Sequence, residues 1–250
     1  MVPDRGVLVV TGGSRGIGAE VVMQAASDGW TVVFSYLDAE RRAQDLTAAV
    51  GAAGGAAYGF RTDISDEQDV VDLFVSASDL GVVRGLVANA AIVAPPMRVA
   101  EFSAERVRRV LEVNVFGTIL CCREAVRRMS TAQAGAGGSV VLVSSAASRL
   151  GSAGEYVDYA ASKGAIDSLG IGLAREVAAE GVRVNVVRPG TTLTEIHERN
   201  GQVSRVREIE SIIPIQRAAD PSEVAASILW LLSDAASYCV GSILDVAGGR

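Results

Sequence analysis

The sequence predicts an α/β fold, a doubly wound parallel sheet of about seven strands with helices on both faces. Three observations carry this expectation. Seven short apolar runs rich in β-branched residues recur along the chain, at Val7–Val10, Thr31–Phe34, Ala57–Arg61, Gly85–Ala88, Ser139–Ser144, Val182–Val187 and Ile243–Val246. They are continuous rather than alternating, as strands covered on both faces must be. Longer amphipathic stretches separate them, for example Gly18–Asp28, Ala39–Val50, Glu67–Ser78 and Tyr159–Ala179, and strand-helix alternation calls for right-handed crossovers and a parallel sheet.

The elements justify themselves in order. Residues 7–18 read VLVVTGGSRGIG, a strand followed by Gly12, Gly16 and Gly18 and then a helix. Such glycines permit a tight turn, close backbone approach to a pyrophosphate and close helix-strand packing. The helix start offers free N–H groups and partial positive charge to phosphates. The second strand ends in Ser35 and Tyr36, without the acid that would bond a ribose 2′-hydroxyl. Its absence permits a 2′-phosphate, which Arg15 in the glycine turn could pair. Arg41 and Arg42 read as helix surface.

Further on, Ser144 and Ser145 end a strand at the sheet's carboxyl edge, where open α/β sheets bind ligands. Tyr159 and Lys163 follow, four apart on one helix face. Carbonyl reduction needs a proton donor for the developing alkoxide. A tyrosine can serve if a neighbouring ammonium and an oxidised nicotinamide lower its pKa from about 10. Ser145 would hydrogen-bond the substrate oxygen. The segment Thr191–Pro214 is long and polar between two core elements and reads as a substrate lid.

Composition bounds the remainder. A length of 250 residues with 49% hydrophobic and 5% aromatic content suits one domain, 1–250, with an aliphatic core. A net charge of −6 lacks the basic footprint of a nucleic-acid binder. No apolar run reaches the ~18 residues of a membrane span, and the start carries no signal-peptide pattern. Cys121, Cys122 and Cys239 have no metal-ligand spacing, and the sole histidine is His197. No metal is expected; free thiols suit a reducing cytoplasm. Cys121 and Cys122 read as buried packing, Asp158 as exposed, His197 as a solvated loop residue and Glu155 as an open candidate for substrate contact.

In order, Thr11-Gly12-x-x-x-Gly16-Ile17-Gly18, Asp63, Asn89-Ala90-Ala91, Asn114, Ser145, Tyr159, Lys163 and Pro189-Gly190 resemble the signature of the short-chain dehydrogenase/reductase family over essentially the whole chain. The resemblance implies a single Rossmann-type domain, a homotetramer or homodimer, and NADPH-dependent hydride transfer between a nicotinamide and a carbonyl or secondary alcohol carbon. Its catalytic set is Asn114, Ser145, Tyr159 and Lys163. Asn114 would hold a water in a relay with Lys163, which would also bind the nicotinamide ribose. The implied cofactor contacts are Gly12, Ser14, Arg15, Gly16, Ile17, Gly18, Ser35, Tyr36, Asp63, Ile64, Asn89, Ala90, Tyr159, Lys163, Pro189, Gly190, Thr192 and Thr194, with Asp63 on the adenine and Asn89 bracing the sheet. Two features depart from the family. Ala91 stands where a glycine is usual, and Ser145 lies 14 positions before Tyr159, one more than in many relatives, so Gly151–Glu155 should bulge. An NAD-dependent alcohol or polyol dehydrogenase and a dinucleotide sensor without turnover are the alternatives.

Overall fold

A computed structural model describes residues 5–193 and 210–250. Thr194, Ile196, His197 and most of the expected lid lie outside the described residues. One parallel sheet contains β1 (Val7–Val10), β2 (Thr31–Tyr36), β3 (Ala56–Arg61), β4 (Val83–Ala88), β5 (Gly138–Val143), β6 (Val182–Pro189) and β7 (Ile243–Val246). Their order is β3-β2-β1-β4-β5-β6-β7. All seven expected strands are present; β1 and β7 have the expected bounds, and the other five differ by a residue or two at their ends.

The helices are α1 (Gly16–Ser27), α2 (Glu40–Ala52), α3 (Glu67–Leu80), α4 (Ala104–Leu111), α5 (Thr118–Met129), α6 (Ala147–Leu150), α7 (Val157–Val177) and α8 (Pro221–Leu232). One face of the sheet packs Leu8, Val10, Val32 and Phe34 against α1, α2 and α8. The other packs Val7, Val9, Val33 and Leu86 against α3, α5 and α7. Successive residues of each central strand therefore enter two different cores, which is why their sequences are apolar without alternation. Cys121 and Cys122 lie in the second core. Burial pushes both thiols up, Cys122 to about 12, as inert packing residues require.

The chain runs out from β1 in both directions, toward β2 and toward β4. The crevice opens at this switch point, beyond the strands' carboxyl ends. Helix α7 carries Tyr159 and Lys163 and packs on β6, and Gly170 makes that approach possible. A Cβ there would lie 2.2 Å from Val186 Cγ2, on a stiff β-branched side chain that has no room to yield. Gly170→Ala should push α7 off β6 and destabilise the protein by about 1–3 kcal/mol, measured as a lower urea midpoint with an unchanged m-value.

Candidate active site

Side chains at the ends of β1 and β4 shape the glycine turn. Thr11 Oγ1 accepts from the backbone N–H groups of Asn89 and Ala90, each at 3.0 Å. Asn89 Nδ2 donates back to the carbonyls of Thr11 and Gly12 at 3.0 Å. Ser35 is buried, and its hydroxyl accepts from Gly12 N at 3.1 Å. Gly12 and Gly16 have φ of 65° and 53°, a region L side chains rarely adopt. A Cβ on Gly18 would lie 2.3 Å from Gly12 O, so helix and turn can pack this closely only with glycine.

Helix α1 begins without a side-chain cap and without an acid in its first turn. Its first N–H groups and its dipole are thus left for an anion. Beside it lies a cavity of about 260 Å³. Gly12, Ser14, Arg15, Gly16, Ile17, Ser35, Tyr36, Asp63, Ile64, Asn89 and Ala90 all line it, as do Leu37, Asp38, Thr62, Ala91, Ile92 and Arg109. An uncapped helix start, glycines that hold the backbone close and a cationic Arg15 fit the phosphates of a dinucleotide.

Asp63 borders this cavity with its carboxylate fixed. Oδ1 accepts from Ser65 N at 3.0 Å and Ser65 Oγ at 2.5 Å, and Oδ2 accepts from Arg109 Nη2 at 3.1 Å. Burial pushes the carboxyl's pKa up, but the Ser65 hydrogen bonds and the Arg109 guanidinium outweigh it and hold it below the ordinary value.

The proposed chemical groups are not among the residues that line this cavity; Asn114 is joined to it through its bonds to the lining residue Ile92. Ser144 Oγ turns inward and donates to Lys163 O at 3.0 Å, while Ser145 hydrogen-bonds the side chain of Tyr159. The two serines are thereby separated: Ser144 anchors α7 and Ser145 faces Tyr159. Lys163 is buried, and Nζ donates to Val143 O at 2.8 Å and lies 5.6 Å from the Tyr159 ring centroid. Burial lowers its pKa to about 8, with the Asp167 carboxylate opposing. The expected depression of the Tyr159 pKa is absent in the protein alone. Burial raises it, the Ser145 hydrogen bond opposes the rise, and the lysine's hydrogen bond goes to β5 instead.

Asn114 sits in a π-helical stretch, Glu112–Gly117, between α4 and α5. Its side-chain amide is spent on the backbone of Ile92, through Ile92 N at 2.8 Å and Ile92 O at 3.0 Å, and on Ser162 Oγ at 3.1 Å. It thus pins the loop after β4 to α7. Its carbonyl accepts from Thr118 Oγ1 at 2.9 Å.

Pro189, Gly190 and Thr192 lie at the end of β6. Gly190 N donates to Val246 O at 2.9 Å, and a Cβ on Gly190 would lie 2.8 Å from Ala247 Cα. Thr192 is buried and donates to Gly190 O at 3.2 Å. The turn before Tyr159 has positive φ at Gly151, Ser152 and Gly154.

Asp158 corrects the sequence reading. It is buried, not exposed, and it accepts from Arg106 Nε at 2.7 Å and Arg106 Nη2 at 3.2 Å. Helix α4 packs across α7 and supplies the partner, which the sequence alone does not reveal. Arg106 also donates to Pro95 O, and Met97 N to Glu155 O at 3.0 Å, so the 95–97 loop is tied to the start of α7. The cavity residues Arg109 and Asp38 likewise escape a reading of the sequence. Lys163 carries a further sequence signal: it is the single lysine among 23 Lys and Arg residues.

This arrangement is that of a dinucleotide-binding oxidoreductase. Residues 12–250 match a family model described as enoyl-(acyl carrier protein) reductase. The chain is 50% identical to an uncharacterised oxidoreductase, YgfF, of Escherichia coli K12, across 98% of this chain and 99% of that one. It is 40% identical to cis-4-hydroxycyclohexanecarboxylate dehydrogenase of Sinomonas cyclohexanicum, across 97% and 95%. A short-chain dehydrogenase/reductase from Serratia marcescens superposes with a TM-score of 0.91 at 30% identity, covering 100% and 99% of the two chains. A blue fluorescent protein from a metagenomic library, solved with NADPH, gives 0.90 at 29% identity over the same shares. The chain belongs to the short-chain dehydrogenase/reductase family.

Proposed function

We propose that the protein is an NADPH-dependent oxidoreductase acting on a carbonyl or secondary alcohol carbon, with Tyr159 as acid/base. The observation that carries this reading is buried Lys163 one helical turn from Tyr159, with its Nζ 5.6 Å from the Tyr159 ring centroid and Ser145 beside the phenol. When bound, the nicotinamide would supply or accept the hydride. Ser145 Oγ would donate to the substrate oxygen and fix its position. In the reductive direction Tyr159 Oη would give that oxygen its proton, and in the oxidative direction it would take the proton back. The Lys163 ammonium would favour the phenolate left behind. Asn114, by holding Ile92 and Ser162, would keep the loop after β4 and helix α7 in register.

Arg15 on the cavity wall and the missing acid at the β2 tip support NADPH. The relative's NADPH complex supports it by likeness. Asp38, an exposed acid on the cavity rim two residues beyond Tyr36, favours the second reading, an NAD-dependent dehydrogenase. The similarity to a hydroxycyclohexanecarboxylate dehydrogenase makes cyclic secondary alcohols and ketones the first substrates to try. We further propose one domain over 1–250 with 191–214 as substrate lid, a cytoplasmic location and a homotetramer. Exposed Leu111, Phe116 and Ile119 on and between α4 and α5, and Trp230, Tyr238 and Val240 at and beyond α8, offer two apolar faces for assembly.

Titrating the purified protein with both cofactors should give the lower dissociation constant for NADPH; tighter NADH binding assigns the cofactor to the Asp38 reading. Tyr159→Phe should leave that dissociation constant unchanged and reduce turnover of a cyclic ketone by about 100-fold or more; retained turnover refutes the mechanism. Light scattering should return four times the 25.9 kDa chain mass; the mass of the single chain rules out the assembly.

A further inference from the structure

One buried acid lies outside the proposed mechanism. Asp167 is one helical turn beyond Lys163 on α7 and is 7% exposed. Its Oδ2 accepts two hydrogen bonds from Arg188, from Nη2 at 2.8 Å and Nε at 3.1 Å. Its Oδ1 is buried without a hydrogen-bond partner among the described residues. A half-satisfied buried carboxylate is costly to retain, and an Arg188 clamp alone could have used both oxygens in a bidentate pair. Lys163 is under-bonded in the complementary sense. Its ammonium has three N–H donors, and among the described residues one of them is placed, on Val143 O. The two groups share a helix face at the i, i+4 spacing without a direct ion pair between them, so the carboxylate acts on the ammonium across a gap.

We infer that Asp167 is a positioning residue for Lys163: its clamped carboxylate is the fixed counter-charge that keeps the neighbouring ammonium protonated through the working pH range. The surrounding charges leave that task to it. On α7, Tyr159 is neutral and Asp158 is spent on Arg106. The other packed elements present Arg188 from β6, with Asp245 of β7 3.8 Å from it, and Arg149 of α6, 3.9 Å from the same Asp245. Glu112 in the π-helical stretch is taken by Arg109, and β5 gives Lys163 only a carbonyl. Burial drives the ammonium toward neutrality, and the Asp167 carboxylate opposes it. Arg188 orients the carboxylate and, as a second cation, tempers its field.

This inference rests on the proposed role of Lys163, and its test needs no turnover. Because the chain has one lysine, protein grown with ¹³Cε-lysine gives a single lysine signal, whose shift can be followed against pH without cofactor. The wild-type signal should titrate near 8. Asp167→Asn should lower the midpoint by about one pH unit. Arg188→Gln, which leaves the carboxylate unopposed, should raise it. Simple loosening of the packing would admit water and raise both. A midpoint unchanged or raised in Asp167→Asn overturns the inference, as does one unchanged or lowered in Arg188→Gln. If the midpoints move as expected in a protein that reduces no carbonyl, the proposed function fails while the counter-charge stands. Full turnover with immobile midpoints removes the counter-charge and leaves the proposed function standing.

Discussion

The ends of β1 and β4 are tied to each other by side chains, and the site is built outward from that tie. At the switch point the chain leaves these two strands in opposite directions, so their ends would splay if only sheet hydrogen bonds held them. Thr11 Oγ1 takes two backbone N–H groups from the β4 side, and Asn89 returns its amide to two carbonyls on the β1 side. These bonds satisfy backbone groups that the sheet no longer pairs. They also set the height of the glycine turn, and with it the opening of α1 toward the cavity. A short polar side chain is needed on each strand end because the gap being spanned is a backbone-to-backbone gap.

A second set of ties fixes the start of α7 relative to this floor. Asn114 clasps Ile92 in the loop just beyond Asn89 and reaches Ser162 on α7. Ser144 reaches Lys163 O from the tip of β5. The Arg106–Asp158 pair, with Pro95 O as a third partner, joins α4, the start of α7 and the 95–97 loop. Tyr159 therefore sits in a helix whose first turns are held from three sides. Its hydroxyl is placed by packed elements rather than by a loop, which suits the proposed acid/base role, since such a group would have to meet a substrate oxygen at hydrogen-bond distance.

The fold is legible in the sequence because its signals are local. Strands buried on both faces write continuous apolar runs, and the glycines of the first turn are dictated by positive φ and close approach at that turn. The residues of the candidate cofactor cavity are legible for the same reason, since most of them end a strand or open a helix. What escapes is what depends on two distant elements meeting. Asp158 looks solvent-facing because its partner Arg106 lies 52 positions away. Arg109 likewise meets a distant partner, crossing to Asp63, 46 positions earlier. The π-helical stretch around Asn114 leaves no periodic mark, because one widened turn shifts the hydrophobic phase by too little to read. The pKa of Tyr159 runs against expectation for a related reason. Spacing puts Lys163 on its helix face, but only the packed β5 reveals that the ammonium bonds Val143 O.

The choice of basic residue follows from the same division between structure and site. Where this chain needs a cation for structure it uses arginine: Arg106 on Asp158, Arg109 on Asp63, Arg188 on Asp167, and Arg123, Arg127 and Arg128 around Glu124. Arginine stays charged when buried and can engage a carboxylate with two donors. Lysine appears once, at Lys163, buried on α7. There the useful property is the opposite one, a compact ammonium whose proton affinity burial can pull down to about 8 and a nearby carboxylate can restore. A guanidinium in that place would stay charged at every pH the protein meets. The separation of the two residue types fits the role proposed for Lys163, where a tunable charge rather than a permanent one would be of use.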